Sequence, residues 1–223
     1  MLSRYLIFLN TYYKSVIGHL SALYKDFLCC SDYNDTNPDV SFPKSSSELL
    51  SGDTQKNEIP VFLINARSVC NKMPLLHSYV REYCPLIICV TESWGHSDIN
   101  DSFFALPNYS LYRCDRHNGV GGGVLIYVSH FFTSDLVMKF SEDHAESVSC
   151  RINVISNSTS YNLVVCCAYR PPSYPLQDSQ FLAHLSDIVT RPCDFLVLCG
   201  DFNCPDVKWS EISLANRNCS MVS

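Results

Sequence analysis

The 223-residue chain suits one domain with an extension or two small domains, and its 47% hydrophobic content, with 13 Tyr and 12 Phe, excludes wholesale disorder. A net charge of −6 speaks against a simple electrostatic DNA binder, but it suits an enzyme whose acids hold a metal ion and whose few cations meet phosphate. The 13 cysteines include no C-x-x-C pair, which argues against zinc, and most lie in apolar runs (Cys89, Cys150, Cys166, Cys199) where a reduced thiol packs as a small hydrophobe. Such cysteine usage predicts a reducing, intracellular compartment.

Residues 1–28 carry apolar side chains at loose helical spacing (Leu6, Leu9, Tyr13, Val16, Ile17, Leu20), which predicts an amphipathic helix. The opening apolar run is short and interrupted by Asn10 and Lys14, so neither a signal peptide nor a membrane span is expected. Residues 29–58 turn to Ser, Asp, Asn, Pro and Lys and read as a linker. The predicted division is therefore a leader helix and polar linker over 1–58, then a domain over 59–223.

From Ile59 the pattern is α/β. Short buried strands are predicted at 59–65, 86–90, 124–128, 147–154, 161–168 and 195–199, with helices over 72–83 and 180–189. Four of these strands run into a polar residue at their C-terminal ends: Asn65, Glu92, Tyr169 and Asp201. In layered α/β proteins, sites form where strand ends deliver side chains to one rim.

Each of these residues has a structural and a chemical reading. Glu92 is either a solvated strand cap or a ligand for a hard cation, which takes one or two carboxylates plus phosphate oxygens and waters. Asp201 and Asn203 lie two apart, so an extended chain puts them on one face, where they could orient a water and a phosphate oxygen. Gly-Asp-x-Asn is also an ordinary turn. Asn65 either caps its strand or contacts a metal-bound water or phosphate, with Arg67 beside it as a nucleic-acid contact. Tyr169 could present its phenol to phosphate, backed by Arg170-Pro171-Pro172, or pack at a turn. Arg113 and Arg116 read equally as phosphate contacts and as members of ion pairs. Gly121-Gly122-Gly123 is followed by a strand and no Gly-Lys-Ser/Thr, which excludes a P-loop.

Six stretches carry a resemblance: Leu63-Ile-Asn-Ala-Arg-Ser-Val-Cys-Asn-Lys72, Val90-Thr-Glu-Ser-Trp94, Tyr112-Arg-Cys-Asp-Arg116, Gly121-Gly-Gly-Val-Leu-Ile-Tyr-Val128, Ala168-Tyr-Arg-Pro-Pro172 and Leu198-Cys-Gly-Asp-Phe-Asn-Cys-Pro205. Together, in this order, they resemble the endonuclease/exonuclease/phosphatase superfamily, with a nearer likeness to the apurinic-like endonuclease domain of non-LTR retrotransposons. The resemblance implies an α/β (α+β) fold: a four-layer sandwich of two β-sheets flanked by helices, here incomplete at the C-terminus. It also implies a rim site that nicks DNA with Mg²⁺, or Mn²⁺ in its place. Glu92 would bind the metal with Asn65 assisting, Asp201 and Asn203 would orient water and phosphate, and Tyr169 would contact phosphate. Arg67, Arg113, Arg116 and Arg170 would meet the nucleic acid. The implied partners are DNA and, in a full-length element, a reverse transcriptase region; neither membrane nor zinc is expected. Action on chromosomal DNA would make the protein nuclear.

Members of that family continue past Gly-Asp-x-Asn to a further Asp and a Ser-Asp-His. The residues after Asn203 here contain no His, and all seven histidines precede Asp201. The expectation from this departure is weak or absent activity. Two other readings stay open: a repair nuclease or inositol/lipid phosphatase of the same superfamily, and a relic that binds without turnover.

Overall fold

The computed structural model describes residues 5–10, 59, 61–142, 145–156, 158–172 and 179–204. These form nine strands in two sheets. The first sheet holds β2 (Val61–Asn65), β3 (Ile87–Thr91), β5 (Val124–Ser129) and β4 (Tyr109–Cys114), in that spatial order. The second runs β1 (Tyr5–Asn10), β9 (Phe195–Asp201), β8 (Thr159–Tyr169), β7 (Ala145–Ser156) and β6 (Thr133–Glu142). Helix α1 (Met73–Tyr83) follows a short 3₁₀ turn at Cys70–Lys72, α2 spans Asp101–Phe104 and α3 spans Ser179–Thr190.

Apolar alternation sorts the side chains into three interiors. Between the sheets lie Ile87, Cys89, Val124, Ile126, Val148, Cys150, Val165, Val197 and Cys199. The other face of β2, β3 and β5 (Phe62, Ile64, Ile88, Val90, Leu125, Tyr127) packs on Met73 and Leu76 of α1 and Phe104 of α2. The outer face of β8 and β9 (Val164, Cys166, Leu196, Leu198) packs on Phe181 and Ile188 of α3. The result is the expected four layers, helix on sheet on sheet on helix.

The predicted strands and both helices within 59–201 are present, with boundaries moved by one to a few residues. The helix expected over 1–28 is corrected where the structure describes that segment. Residues 5–10 are a strand paired in parallel with β9, Tyr5 opposite Phe195 through Asn10 opposite Gly200. The unsatisfied backbone groups along the edge of β9 supply the reason, because an apolar segment beside them gains a complete hydrogen-bond ladder. The rest of the predicted leader and linker lies outside the described residues. Two strands went unpredicted. In β4 most positions are only half-buried. In β6 a polar, half-exposed edge is further disrupted by a register shift between Leu136 and Met138.

Strand direction positions the site. β2 and β3 are parallel neighbours, and β8 and β9 are parallel neighbours in the other sheet. All four C-terminal ends reach one rim of the sandwich.

Candidate active site

Asn65 is the last residue of β2, and its side-chain amide joins the two sheets. Nδ2 donates to Glu92 Oε1 at 3.0 Å and to Asp201 Oδ2 at 2.9 Å. Three residues far apart in the chain thus meet at one point, and two carboxylate oxygens converge there. Asp201 is 5% exposed, so its charge is held mostly away from water and needs polar partners.

The chain around Asn65 and Glu92 is braced by the continuation of strand pairing into loops. Ala66 N–H donates to the Thr91 carbonyl at 2.8 Å, Ser68 N–H to the Glu92 carbonyl at 2.9 Å, and Val69 N–H to the Ser93 carbonyl at 2.9 Å. Arg67, Ser68 and Glu92 adopt positive φ (42°, 77° and 52°), a turn conformation that carries a steric cost and is held by these bonds. Lys72 closes the loop by donating its ammonium to the carbonyls of Ala66, Arg67 and Ser68. Burial lowers the Lys72 pKa, the neighbouring Arg67 lowers it further, and Glu92 opposes them.

On the other side of the cleft, Tyr169 ends β8 directly opposite Asp201 in the register. Burial pushes its phenol up to about 12; the nearby Glu92 charge adds to the rise and Arg116 opposes it. The phenol is therefore a proton donor across the neutral range.

The four arginines divide. Arg67 is exposed on the rim, where a phosphate contact is sterically open. Arg113 turns inward: it donates to Asp115 and Asp101 and to the carbonyls of Ile99 and His96, and it lies 4.5 Å above the Phe104 ring. It braces the loop after Glu92 and is not displayed to a ligand. Arg116 donates through Nε to Glu146 Oε1 at 2.6 Å, and its guanidinium sits 5.6 Å from the Tyr169 ring. Arg170 is 6% exposed and donates to the carbonyls of Phe202 and Asn203, while Asn203 Nδ2 donates back to the Arg170 carbonyl at 2.8 Å.

Glu146 was not singled out from the sequence. It is fully buried at the start of β7, opposite Tyr169, and it also accepts from the Gly123 N–H at 3.2 Å. An acid just ahead of the alternating polar and apolar run Ser147–Val154 was the available signal. The glycine loop serves this pair: a Cβ on Gly122 would lie 2.4 Å from the Arg116 guanidinium, so Gly lets the loop close over it.

The fit to a hard divalent cation can be judged from the donors. Two carboxylates from different sheets share one amide, which leaves net negative charge at the point of convergence. Oxygen donors of this kind suit a hard ion such as Mg²⁺ or Mn²⁺, which completes its coordination with phosphate oxygens and waters, and not a soft ion. Glu92 and Asp201 would hold such an ion, with Asn65 beside them. When bound, it would polarise a phosphoryl oxygen and offset developing charge on the leaving oxygen.

Residues 62–218 match the family model described as the Endonuclease/Exonuclease/phosphatase family. The chain belongs to this family. Its members are typically dependent on a divalent metal, and its phosphoesterase fold is the one seen here. Among solved structures, the chain is similar to the human Nocturnin catalytic domain with bound sulfate (16% identity, 72% of this chain and 68% of that one, TM-score 0.46). It is also similar to D. rerio TDP2 complexed with a single-strand DNA product (14% identity, 68% and 63%, TM-score 0.45). A third is an AP endonuclease from Archaeoglobus fulgidus (16% identity, 66% and 58%, TM-score 0.43). No curated protein matches the chain. Membership rests on the family match. No helix among the described residues is long and apolar enough to cross a membrane.

Proposed function

We propose that the chain is a Mg²⁺-dependent phosphodiesterase acting on DNA, of the type that nicks target sites for non-LTR retrotransposons. The observation that carries this reading is the Asn65 amide shared between Glu92 and Asp201, which gathers two strand-end carboxylates in one cleft. The retrotransposon branch is supported by resemblance in the motifs Thr91-Glu-Ser-Trp94 and Tyr169-Arg-Pro-Pro172. On this reading a reverse transcriptase would accompany the domain in a full element, and chromosomal DNA would be met in the nucleus.

Each residue then has a task. Asp201, fixed by Asn65, accepts a hydrogen bond from the attacking water and sets its direction in line with the scissile bond. The protonated Tyr169 phenol donates to a non-bridging phosphate oxygen, and the Arg116–Glu146 pair beside its ring holds it in place. Arg67 on the rim meets the flanking backbone phosphate. Asn203 is locked to Arg170 and keeps the turn after Asp201 in place.

The test has two readings. Mn²⁺ binding to the purified chain, followed by the relaxation of water protons, is expected to be lost in Glu92→Gln and Asp201→Asn. With Mg²⁺, at most weak strand nicking of supercoiled plasmid is expected, since no His follows Asn203, and release of phosphate from inositol or lipid phosphates is not. Phosphate release without nicking would favour the phosphatase alternative. Metal binding with neither reaction would make the chain a binding relic of the fold.

A further inference from the structure

Three thiols from three strands meet between the sheets. Cys89 lies on β3 in one sheet, while Cys167 on β8 and Cys199 on β9 are directly paired neighbours in the other. Their sulfurs all lie within 4.8 Å of one another, and all three residues are 0% exposed. Among the described residues this is the one group of three such side chains close enough to share an ion. Sequence spacing conceals it, because each thiol arrives on a different strand.

We propose that this triad is a binding site for one monovalent thiophilic cation, copper(I), held by three sulfurs beneath the cleft. Three properties of the site select that ion. The first is softness: sulfur donors alone favour Cu⁺ over the hard cations of the rim. The second is coordination number. Structural zinc takes four ligands in a tetrahedron, whereas among the described residues no fourth Cys, His, Asp or Glu joins these three within 4.8 Å, Cys150 of the same core included. A trigonal ion with metal–sulfur bonds of about 2.3 Å needs sulfurs about 4.0 Å apart, inside the observed 4.8 Å limit.

The third property is charge. Cu⁺ binding to three thiols with release of a single proton leaves one thiolate and two neutral thiols, so the filled site is electrically neutral. A divalent ion would have to expel two protons to reach the same state or leave charge in an apolar core. One retained proton already has an acceptor: the Cys167 thiol points at the Val90 carbonyl at 3.6 Å.

Location gives the site a consequence. Along an extended strand every second side chain shares a face, and two residues beyond the three cysteines stand Thr91, Tyr169 and Asp201. An ion in the triad would tie β3 to β8 and β9 one step below the rim. The inference rests on the sheet packing alone and stands or falls independently of the hydrolase reading.

The test is an anaerobic titration of the reduced full chain with Cu⁺ against a chromogenic Cu⁺ chelator, with X-ray absorption on the product. The expected result is one Cu⁺ per chain bound by three sulfurs at about 2.3 Å. The affinity should fall at least a hundredfold in Cys89→Ala, Cys167→Ala and Cys199→Ala, and stay unchanged in Cys70→Ser, Cys84→Ser and Cys193→Ser. Stoichiometric binding that survives the three core substitutions would overturn the proposal. Should those variants fail to fold by circular dichroism, the wild-type absorption spectrum decides alone, since two sulfurs, or any nitrogen or oxygen ligand, would also overturn it.

Discussion

Arg170 and Asn203 fasten each other across the turn that follows the site. Arg170 Nη1 donates to the Phe202 and Asn203 carbonyls at 2.9 Å, and Asn203 Nδ2 returns a bond to the Arg170 carbonyl at 2.8 Å. Both residues were expected at the ligand, Asn203 to orient phosphate and Arg170 to touch nucleic acid. Their bonds instead show a clamp that holds the end of β9 against the end of β8, so that Asp201 stays opposite Tyr169.

Breaking the clamp has a predictable cost. Asn203 sits at φ 46°, a conformation that Asn tolerates better than Ala does. Asn203→Ala therefore loses about 1 kcal/mol of hydrogen bonding and about 1 kcal/mol of backbone fit. Asn203→Gly should lose only the first. Urea unfolding midpoints of the two variants should differ in that order, and equal midpoints would remove the backbone part of the account.

Gly200, one residue before Asp201, offers a sharper case. Its φ is 149°, and an added Cβ would lie 1.8 Å from the Ala168 carbonyl oxygen on β8. The neighbouring atom is backbone and has nowhere to move. Gly200→Ala should cost about 3 kcal/mol or more from overpacking and strain combined. Thermal unfolding checks this, and a variant within 1 °C of the wild type would show that β8 and β9 can separate freely here.

The sequence disclosed the fold where one rule dominated. Strands β2, β3, β5, β8 and β9 are continuous apolar runs because both of their faces are covered, and such runs are unmistakable. Segment 5–10 misled because its apolar residues fit a loose helical spacing, while its actual state depends on the distant edge of β9, which no local pattern reports. The site was legible for the same reason as the core: Asn65, Glu92, Tyr169 and Asp201 each mark the point where an apolar run stops. Glu146 and the Cys89–Cys167–Cys199 triad were not, since their meaning arises from register between strands. Arg113 and Arg116 illustrate the remaining ambiguity, because local sequence does not say whether a guanidinium faces solvent or turns back to a buried acid.

Tyr169 should act as a donor and not as a base. With its phenol pushed up to about 12, it stays protonated throughout the range in which phosphodiester cleavage would be assayed. Tyr169→Phe is expected to reduce cleavage about tenfold to a hundredfold, the worth of a hydrogen bond to a charged group. The shape of the pH profile between about pH 6 and pH 9 should not change. Loss of an alkaline limb in the variant would assign Tyr169 a titrating role and contradict this.

His184 supplies a pH dependence of stability. On α3 it shares a 2.6 Å hydrogen bond with the buried Ser147 hydroxyl and stacks 4.8 Å from Phe140, with Asp187 on its own helix and Arg191 just past the helix end. Burial lowers its pKa from 6.5, Asp187 opposes the shift and Arg191 reinforces it. A lowered folded-state value means that the unfolded chain binds the proton more tightly. The contribution to stability is thus complete above pH 6.5 and is lost as pH falls below it. Between pH 8 and about pH 5.5 the wild type should lose more stability than His184→Gln, as read from urea midpoints. Parallel losses would exclude His184 as the source.

Replacing the bridging amide tests the metal reading without an activity assay. Asn65→Asp changes one atom group but sets a third carboxylate where Nδ2 now lies 3.0 Å from Glu92 and 2.9 Å from Asp201. The donor that reconciles the two acids is lost and like charges face each other, so the metal-free variant should be less stable than the wild type by about 2–4 kcal/mol. A divalent cation binding only the folded form stabilises it by mass action, and three carboxylates should bind it more tightly than two. Millimolar Mg²⁺ should therefore raise the variant's melting temperature by more than it raises that of the wild type. Calcium-free buffers and a monovalent salt control of equal ionic strength separate binding from screening. A gain no larger with Mg²⁺ than with the salt control would mean that Glu92 and Asp201 do not share a cation.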